Sequence, residues 1–306
     1  MVRVTLLGTG AQMPAPKRAL SSAVLASEGV HILFDCGEGT QTAAMRSGVS
    51  PLKIDVIALT HYHGDHIFGL PGLLQTMSAM GRTEPLRVTG PAGFRKYAAP
   101  LIKAAGITDF DILQCDVSEP VSLSALDERW PRQAFLSSFG TRHGCCSCGY
   151  VFELRRQRRL SPEAADRLGV PVTARKLLQQ GSSVRINGRT VTPDDVLGGP
   201  RRGIRVVYSG DTARCRALET HSAGADLLIC DATYGSNDQK DIAGERGHMT
   251  FADAAETALA AGVGKLCLTH FSQMIREPAE YLDNARGVFS STVAGSDGMT
   301  LELRFE

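Results

Sequence analysis

Residues 60–66 are unusually dense in possible metal ligands, with three imidazoles and one carboxylate. Side chains two apart point the same way along an extended backbone, so His61 and His63 can converge on one metal ion. A turn after them brings Asp65 and His66 to a second ion. A single histidine is usually structural, but clustered imidazoles without a metal leave several buried polar rings unsatisfied. The H-x-H-x-D-H spacing therefore predicts a site for two ions.

A site for two ions needs more ligands, and three later segments each offer one. His143 follows an apolar run, whereas Asp211 and His270 each follow a strand pattern. One ion is then held by His61, His63 and His143, the other by Asp65, His66 and His270, and Asp211 bridges them. Imidazole-rich ligation suits Zn²⁺ best, with Mn²⁺ or Co²⁺ as alternatives. Two cations about 3.5 to 4 Å apart activate water and stabilise both oxygens of a displacement, which predicts metal-assisted hydrolysis.

The elements that position these residues alternate between strand and helix patterns. Short runs rich in β-branched residues predict strands at Val2–Leu7, Val30–Phe34, Val56–Thr60, Leu86–Thr89, Ile204–Tyr208, Leu227–Cys230 and Lys265–Thr269. Helical patterns cover Phe68–Met80 and Phe251–Ala261, the second with Thr250 as its N-cap. This order predicts an α/β protein, a class that collects chemistry at the ends of its strands.

The composition is that of an ordinary globular protein. The 306 residues are 43% apolar and 21% charged, and 33 Lys and Arg against 32 Asp and Glu give a net charge of +1. No apolar run approaches the roughly 18 residues of a membrane span, and the first residues lack the pattern of a signal peptide. Eight cysteines spread through a long chain favour a reducing compartment over a disulfide framework, so we expect a cytoplasmic protein with no membrane partner.

The segment 155–205 differs from its surroundings in charge. Its twelve basic and four acidic residues give a local charge of +8, which leaves about −7 elsewhere. It contains a helix pattern that begins at Pro162 and a possible hairpin with its turn at Asn187-Gly188. We interpret it as a basic arm inserted in the main domain. The alternative is a solvated loop whose arginines only maintain solubility.

Seven sequence blocks, taken in order, resemble the ribonuclease Z family of the metallo-β-lactamase superfamily. They are Leu7-Gly8-Thr9-Gly10, Phe34 to Gln41, His61 to Leu74, His143 with Gly149-Tyr150, Gly210-Asp211-Thr212, Gly247-His248-Met249-Thr250 and His270-Phe271-Ser272. The H-x-H-x-D-H core points only to the superfamily, whereas residues 67–72 and 35–41 point to the nuclease branch. The resemblance implies one domain over residues 1–306, folded as a four-layer αβ/βα sandwich with the metals at one edge.

The resemblance also implies roles for single residues. Asp65 would act as general base for the attacking water, and His248 would donate a proton to the leaving 3′ oxygen. Glu245, just upstream of His248, could orient the ring and raise its pKa. His31 and His221 match no block and are expected to be structural. The C-x-x-C at residues 145–148 lacks a second cysteine pair and is not expected to bind zinc.

The substrate implied by the resemblance is precursor tRNA, cut at the phosphodiester 3′ of the discriminator base to leave a 3′-hydroxyl. Residues 155–205 occupy the interval of the family's tRNA-binding arm, and a basic projection supplies phosphate affinity without reading sequence. The family's short members are homodimers in which one subunit's arm presents the substrate to the other subunit. A homodimer with two Zn²⁺ ions per subunit is therefore implied.

Two segments depart from the family pattern. Residues 171–181 of the arm lack the family's usual Gly-Pro pair, and Gln273-Met274-Ile275 replaces Ser-Arg-Tyr, with Arg276 two places late. The alternative function is that of a phosphodiesterase or other small-molecule hydrolase of the same superfamily. A third hypothesis, a non-catalytic RNA-binding protein, has no use for Asp65 and His248 beside a full ligand set.

Overall fold

The structure is a computed structural model that describes residues 1–16, 18–106 and 109–305. Its β-strands are β1 (Val2–Gly8), β2 (Ser22–Ser27), β3 (Val30–Phe34), β4 (Val56–Ala58), β5 (Leu86–Thr89), β6 (Ile112–Gln114), β7 (Val121–Ser122), β8 (Ala134–Gly140), β9 (Cys148–Arg156), β10 (Val184–Ile186), β11 (Arg189–Val191), β12 (Arg201–Tyr208), β13 (Leu227–Asp231), β14 (Leu266–Thr269), β15 (Thr292–Ala294) and β16 (Thr300–Leu303). Its α-helices are α1 (Thr40–Arg46), α2 (Gly64–Ile67), α3 (Leu70–Ala79), α4 (Phe94–Ala104), α5 (Leu123–Leu126), α6 (Pro162–Arg167), α7 (Val172–Gln179), α8 (Pro193–Val196), α9 (Arg216–Ser222), α10 (Lys240–Glu245), α11 (Phe251–Ala261) and α12 (Leu282–Arg286). Short 3₁₀ helices lie at Pro51–Lys53, Asn237–Gln239 and Pro278–Tyr281.

The strands form two seven-stranded sheets and one small hairpin. The first sheet has the order β16-β1-β2-β3-β4-β5-β6 and the second the order β15-β14-β13-β12-β9-β8-β7. In each sheet one half is parallel, from β3 to β6 and from β12 to β15, and the rest is antiparallel. The carboxyl ends of the parallel strands meet at a common edge, where α/β folds bind ligands.

The two sheets pack face to face, and helices cover their outer faces. The central core joins residues of both sheets, including stacked Phe34 and Tyr208 rings with centroids 5.0 Å apart. Helices α1, α3 and α4 cover the first sheet, and α9, α11 and α12 cover the second. This arrangement confirms the predicted four-layer αβ/βα sandwich. In the described ranges no helix is both long and apolar enough to cross a membrane.

Several predicted elements end or begin one to three residues from the predicted positions, and two of these differences shape the ligand segment. The strand predicted over Val56–Thr60 stops at Ala58, because the backbone of Thr60 bonds to other partners. The Thr60 N–H donates to the Asp35 carboxylate (2.8 Å), and the Thr60 carbonyl accepts from the Cys148 N–H (2.8 Å). The helix predicted from Phe68 begins at Leu70, after the separate turn α2. At Gly69 a Cβ would lie 2.0 Å from the Gly37 carbonyl oxygen, so the chain can approach this closely only with glycine.

The basic segment leaves the second sheet between β9 and β12. It has a small apolar core of its own, formed by Ala164, Ala165, Val170, Leu178, Val191 and Val196. Ser161 caps α6 by accepting from the Ala164 N–H at 3.2 Å, and Asn187 and Gly188 turn the β10–β11 hairpin with φ of 48° and 80°. The helix and the hairpin turn predicted from the sequence are thus both present.

Candidate metal centre

All seven predicted ligands lie at the shared edge of the two sheets. His61 and His63 follow β4, Asp65 and His66 belong to α2, His143 lies between β8 and β9, Asp211 follows β12 and His270 follows β14. His61 and His270, 209 positions apart in the chain, are therefore neighbours. All seven residues lie in segments that follow the end of a strand. Their potential ligand atoms form two groups that share Asp211.

The first group consists of three imidazoles. His63 Nδ1 lies 3.0 Å from His61 Nε2 and 3.2 Å from His143 Nε2. Asp211 Oδ2 is 3.8 Å from His61 Nε2 and 3.9 Å from His143 Nε2. Three ring nitrogens and a carboxylate oxygen thus face a common point, in the donor set that imidazole-bound divalent metals prefer.

The second group consists of two imidazoles and a carboxylate. Asp65 Oδ2 lies 3.6 Å from His66 Nε2 and 3.5 Å from His270 Nε2. Asp211 approaches this group as well, with Oδ1 3.3 Å from His66 Nε2 and Oδ2 3.2 Å from His270 Nε2. Asp211 is therefore placed to contact cations in both groups.

The hydrogen bonding of this edge is incomplete in a way that fits metal binding. Among the described residues, six buried side-chain polar atoms lack a hydrogen-bond partner, and three of them are His66 Nε2, Asp211 Oδ1 and His270 Nε2. Buried polar atoms are rarely left unsatisfied. All three are good donors to a divalent cation, and cations between them would satisfy every one. The residues at this edge therefore fit a metal centre.

Asp35, fully buried at the end of β3, orients His66 and His61 through the ring nitrogens that face away from the centre. Its Oδ2 accepts a hydrogen bond from His66 Nδ1 at 2.8 Å, which leaves Nε2 facing the centre. Its carboxylate also accepts from the Thr60 hydroxyl at 3.0 Å, and that hydroxyl lies 3.0 Å from His61 Nδ1. Partners of this kind fix the tautomer and the ring orientation of metal-binding histidines.

Two further ligands are held in the same way from other elements. The Thr233 hydroxyl lies 2.9 Å from His270 Nδ1, and the Gly247 carbonyl accepts from His143 Nδ1 at 2.9 Å. Each contact directs the other ring nitrogen towards the centre. Four of the five imidazoles therefore have a partner on the nitrogen that faces away from the site.

Backbone strain is concentrated at this edge. Five non-glycine residues of the described chain have positive φ, and three of them, Gln12 (62°), Asp35 (56°) and His270 (60°), belong to the site or its supports. The Gln12 N–H donates to Asp65 Oδ2 at 2.8 Å. Such strained conformations persist where the surrounding structure over-determines them, which is common at functional sites.

Opposite charges stabilise each other across the site. Burial disfavours the charged form of His66, but the Asp211 and Asp35 carboxylates outweigh it and raise its pKa well above the ordinary value. Burial likewise opposes ionisation of Asp211, yet His270 and His66 hold its pKa well below the usual carboxyl range. The pKa of Asp65 is lowered too, against its burial, by the neighbouring His270 and His66 imidazoles. Both carboxyls are therefore ionised and ready to bind cations.

His248 lies beside the ligands and is paired with an acid other than the predicted one. Its Nδ1 is 2.7 Å from Asp231 Oδ2, and its ring stacks on that of His270 with centroids 5.3 Å apart. Burial opposes the charge, but Asp231 outweighs it and raises the His248 pKa to about 9. The predicted partner, Glu245, is exposed, so that prediction was wrong. The reason is topological, since the parallel bridge between Tyr234 and Thr250 sets His248 against the end of β13.

The sequence patterns did not point to every residue that shapes this site. Asp35 ends a strand next to β4, which is a usable signal, but Thr233 and Gln12 act through a hydroxyl and a backbone N–H that no motif marks. His31 and His221 lie outside the groups, as expected. His31 Nδ1 is 3.8 Å from Asp55, and His221 stacks on Phe139.

The two-sheet sandwich with this histidine and carboxylate edge defines a metal-dependent hydrolase of the metallo-β-lactamase superfamily. A family model described as "Metallo-beta-lactamase superfamily" matches residues 16–149, and one described as "Beta-lactamase superfamily domain" matches residues 196–271. The ribonuclease Z of Lachnoclostridium phytofermentans is 37% identical over 100% of this chain and 99% of its own. That of Methanothermobacter thermautotrophicus is 39% identical over 99% of this chain and 97% of its own. The chain belongs to the ribonuclease Z family.

Solved structures agree with this placement. The short form of human tRNase Z is 27% identical, with a TM-score of 0.66 over 99% of this chain and 100% of its own. The metallo-β-lactamase fold protein YhfI from Bacillus subtilis, 21% identical, has a TM-score of 0.68 over 99% of this chain and 100% of its own. The similarity to YhfI supports the fold alone.

Proposed function

We propose that this chain is an endoribonuclease that hydrolyses precursor tRNA at the phosphodiester 3′ of the discriminator base and leaves a 3′-hydroxyl. The observation that carries the proposal is the convergence of seven ligand side chains and His248 at one edge of the fold. The substrate class follows from full-length identity to proteins named ribonuclease Z. Hydrolysis of a phosphodiester is the chemistry that such an edge supports.

The metal centre is proposed to hold two Zn²⁺ ions per subunit. One is assigned to His61, His63 and His143, the other to Asp65, His66 and His270, with Asp211 contacting both. When bound, divalent cations at these positions activate water and neutralise charge on the phosphate. Zinc is preferred because imidazole nitrogens dominate the donor set.

The side chains of this chain move the protons. The Gln12 N–H donates to Asp65 Oδ2, and the Asp65 carboxylate is proposed to accept a proton from the attacking water. Asp231 holds the Nδ1 of His248, so its Nε2 is the atom that donates to the leaving 3′ oxygen. General acid and base catalysis of this kind contributes about 10²- to 10⁴-fold each.

The test is to incubate metal-loaded protein with 3′-extended precursor tRNA and, separately, with bis(p-nitrophenyl) phosphate. We expect cleavage at one position, with a 3′-hydroxyl on the tRNA and a 5′-phosphate on the trailer. Rapid hydrolysis of the small diester without cleavage of the tRNA would support the alternative, a small-molecule phosphodiesterase, and contradict the proposal.

Replacing Asp35 by Asn should weaken metal binding without removing a ligand. The amide cannot accept from His66 with the strength of a carboxylate, and loss of such a partner costs about 10- to 100-fold in metal affinity. Competition with a chromophoric chelator measures the change. Asp55→Asn is the matched control, because Asp55 also lies beside a histidine, His31, but away from the centre. Equal affinity in the Asp35 variant and the wild type would contradict the orienting role.

Phe68 offers an exposed aromatic ring next to the ligand turn. Phe68 is 62% exposed, and a Cβ at Gly64, between His63 and Asp65, would lie 2.4 Å from the Phe68 ring. Stacking of a base on an aromatic ring contributes about 1 to 3 kcal/mol. We therefore expect Phe68→Ala to lower kcat/KM for precursor tRNA by roughly 5- to 150-fold and to leave bis(p-nitrophenyl) phosphate turnover unchanged.

The control for this variant is Leu259→Ala, which truncates an apolar side chain that is 57% exposed on α11. It should change neither rate. If Phe68→Ala slowed both substrates equally, the ring would act on the metal centre and not on the RNA.

The basic arm is proposed to bind tRNA for the partner subunit of a homodimer. Arg156 and Arg201 pair across β9 and β12 at the end of the sheet away from the metals. Since β12 has eight residues, the arm leaves the sheet about 25 Å from the end that leads to Asp211. Exposed charges of the arm that form no ion pair in the described chain include Arg159, Arg167 and Arg185. Such charges bind phosphates at a distance from the hydrolysed bond.

Complementation between two inactive chains tests this arrangement. In one chain, residues 157–200 are replaced by an Asn-Gly turn, which can join Arg156 to Arg201 because they are paired. The other chain carries Asp65→Ala. Neither should process precursor tRNA alone, but co-refolded mixtures should regain cleavage. An inactive mixture, with the armless chain still active on the small diester, would contradict the proposed exchange.

The reaction is proposed to take place in the cytoplasm. All eight cysteines are free thiols, and Cys145 and Cys146 are exposed at the surface. Neighbouring exposed thiols persist in reducing compartments and are rare in oxidising ones.

A further inference from the structure

We propose that the Cys145 thiolate is an additional ligand of the cation assigned to His61, His63 and His143. One ligand atom from each of these four residues lies within 4.8 Å of the other three. The proposal rests on the metal centre described above and extends its ligand set. It differs from the expectation drawn from the cysteine spacing alone, which gave this cysteine no metal-binding role.

The loop that carries Cys145 is tied down on both sides. Thr141 and Ser147 close it through an N–H to carbonyl bond of 3.2 Å and a hydroxyl contact of 2.8 Å. The Arg142 N–H donates to the hydroxyl of Thr212, the neighbour of Asp211, at 3.0 Å. His143 is itself fixed by the Gly247 carbonyl. The thiol two residues beyond His143 is therefore held over the three imidazoles by the same contacts that place His143.

The first group can take a donor in addition to its three imidazoles and Asp211. A zinc ion with four ligands can expand to five-coordinate. Asp211, 97% buried, has one oxygen without a hydrogen-bond partner and the other 3.8 Å from His61 Nε2. Cys145 approaches from the solvent side, because it is exposed whereas His61 is fully buried. Thiolate is a soft ligand that favours Zn²⁺ and Co²⁺ over harder cations.

Cys146 provides a matched control in the next position. It is exposed like Cys145, yet it belongs to none of the ligand groups found in the described chain. Cys148, in contrast, is buried, and its Sγ lies 3.7 Å from the Leu59 carbonyl oxygen. A metal signature that depends on Cys145 but not on Cys146 therefore identifies coordination rather than a general effect of losing a thiol.

The experiment is to load the apo-protein with Co²⁺ and to record absorption spectra of the wild type, Cys145→Ser and Cys146→Ser. We expect a near-ultraviolet thiolate-to-cobalt charge-transfer band in the wild type and in Cys146→Ser, and its loss in Cys145→Ser. The visible ligand-field bands should persist in all three, since the imidazoles still bind cobalt. A wild type without the charge-transfer band, or a band that survives in Cys145→Ser, would overturn the proposal.

X-ray absorption of the zinc-loaded protein gives a second readout that does not depend on activity. The wild type should show one sulfur at about 2.3 Å beside nitrogen and oxygen neighbours at about 2.0 to 2.1 Å, and Cys145→Ser should lack the sulfur. A shell of nitrogen and oxygen alone in the wild type would overturn the thiolate ligand and leave the metal centre standing. Failure to bind either metal would instead overturn the centre itself, and the thiolate ligand with it.

Discussion

Asp211→Ala is expected to abolish hydrolysis of precursor tRNA and to reduce metal binding at both positions. The carboxylate lies 3.3 Å from His66 Nε2 through Oδ1, and 3.2 Å from His270 Nε2 and 3.8 Å from His61 Nε2 through Oδ2. Its removal takes one anionic ligand from each group. Bound metals supply several kcal/mol of transition-state stabilisation, so kcat/KM should fall by about 10³-fold or more.

Elemental analysis and steady-state kinetics on the same preparations of Asp211→Ala measure the loss of metal and the loss of activity together. Asp226→Ala is the matched control, since Asp226 precedes β13 at the opposite end of the sheet and accepts a hydrogen bond from the Arg205 N–H at 2.7 Å. It should keep its metal and its activity. An Asp211→Ala protein with two ions per chain and a rate near that of the wild type would contradict the assigned bridge.

His248→Ala should lower the cleavage rate of precursor tRNA by about 10²- to 10⁴-fold, the usual contribution of a general acid. On bis(p-nitrophenyl) phosphate the loss should be far smaller, because a nitrophenolate leaves without protonation. His248 is placed for this role by Asp231, whose Oδ2 is 2.7 Å from Nδ1, and by the Thr233 hydroxyl at 3.1 Å. The comparison of the two substrates separates proton donation from damage to the neighbouring ligands.

The variant Asp231→Asn gives a further test of the proton-donor role of His248. Asp231 acts through His248 and is a positioning residue, so its variant should show the same substrate dependence with a smaller loss. Equal losses on both substrates in His248→Ala would mean that the ring supports the metal centre, and the assignment of the proton donor would be wrong.

The sequence signals that mark the candidate ligands are local. Three imidazoles and a carboxylate lie in one short segment, and Asp211 and His270 lie within three residues of the end of a strand. The fold brings these positions together since parallel strands end at one edge. The structure places all seven side chains as the prediction requires, and their binding of metal stays a prediction.

The contacts behind the ligands could not be predicted from neighbouring residues. Glu245 is close to His248 in the chain, but Asp231 is close to it in space, because β13 ends beside the segment that carries His248. Thr233 and the Gly247 carbonyl support His270 and His143 through contacts that leave no sequence pattern. Such contacts depend on the packing of distant elements.

Cys145 illustrates the same limit at a single position. A search for zinc sites by cysteine spacing requires a second cysteine pair, which the chain lacks. The possible partners of Cys145 are histidines from the β4 end and from its own loop. Only the tertiary structure shows that a thiol and three imidazoles share one location.

Anomalous diffraction at the zinc edge from crystals of the metal-loaded protein tests the central claim most directly. Two peaks are expected about 3.5 to 4 Å apart, one among His61, His63 and His143 and the other among Asp65, His66 and His270, with an Asp211 oxygen on each. A single peak, or zinc bound away from this edge, would contradict the paired-cation centre on which the proposed cleavage of precursor tRNA depends.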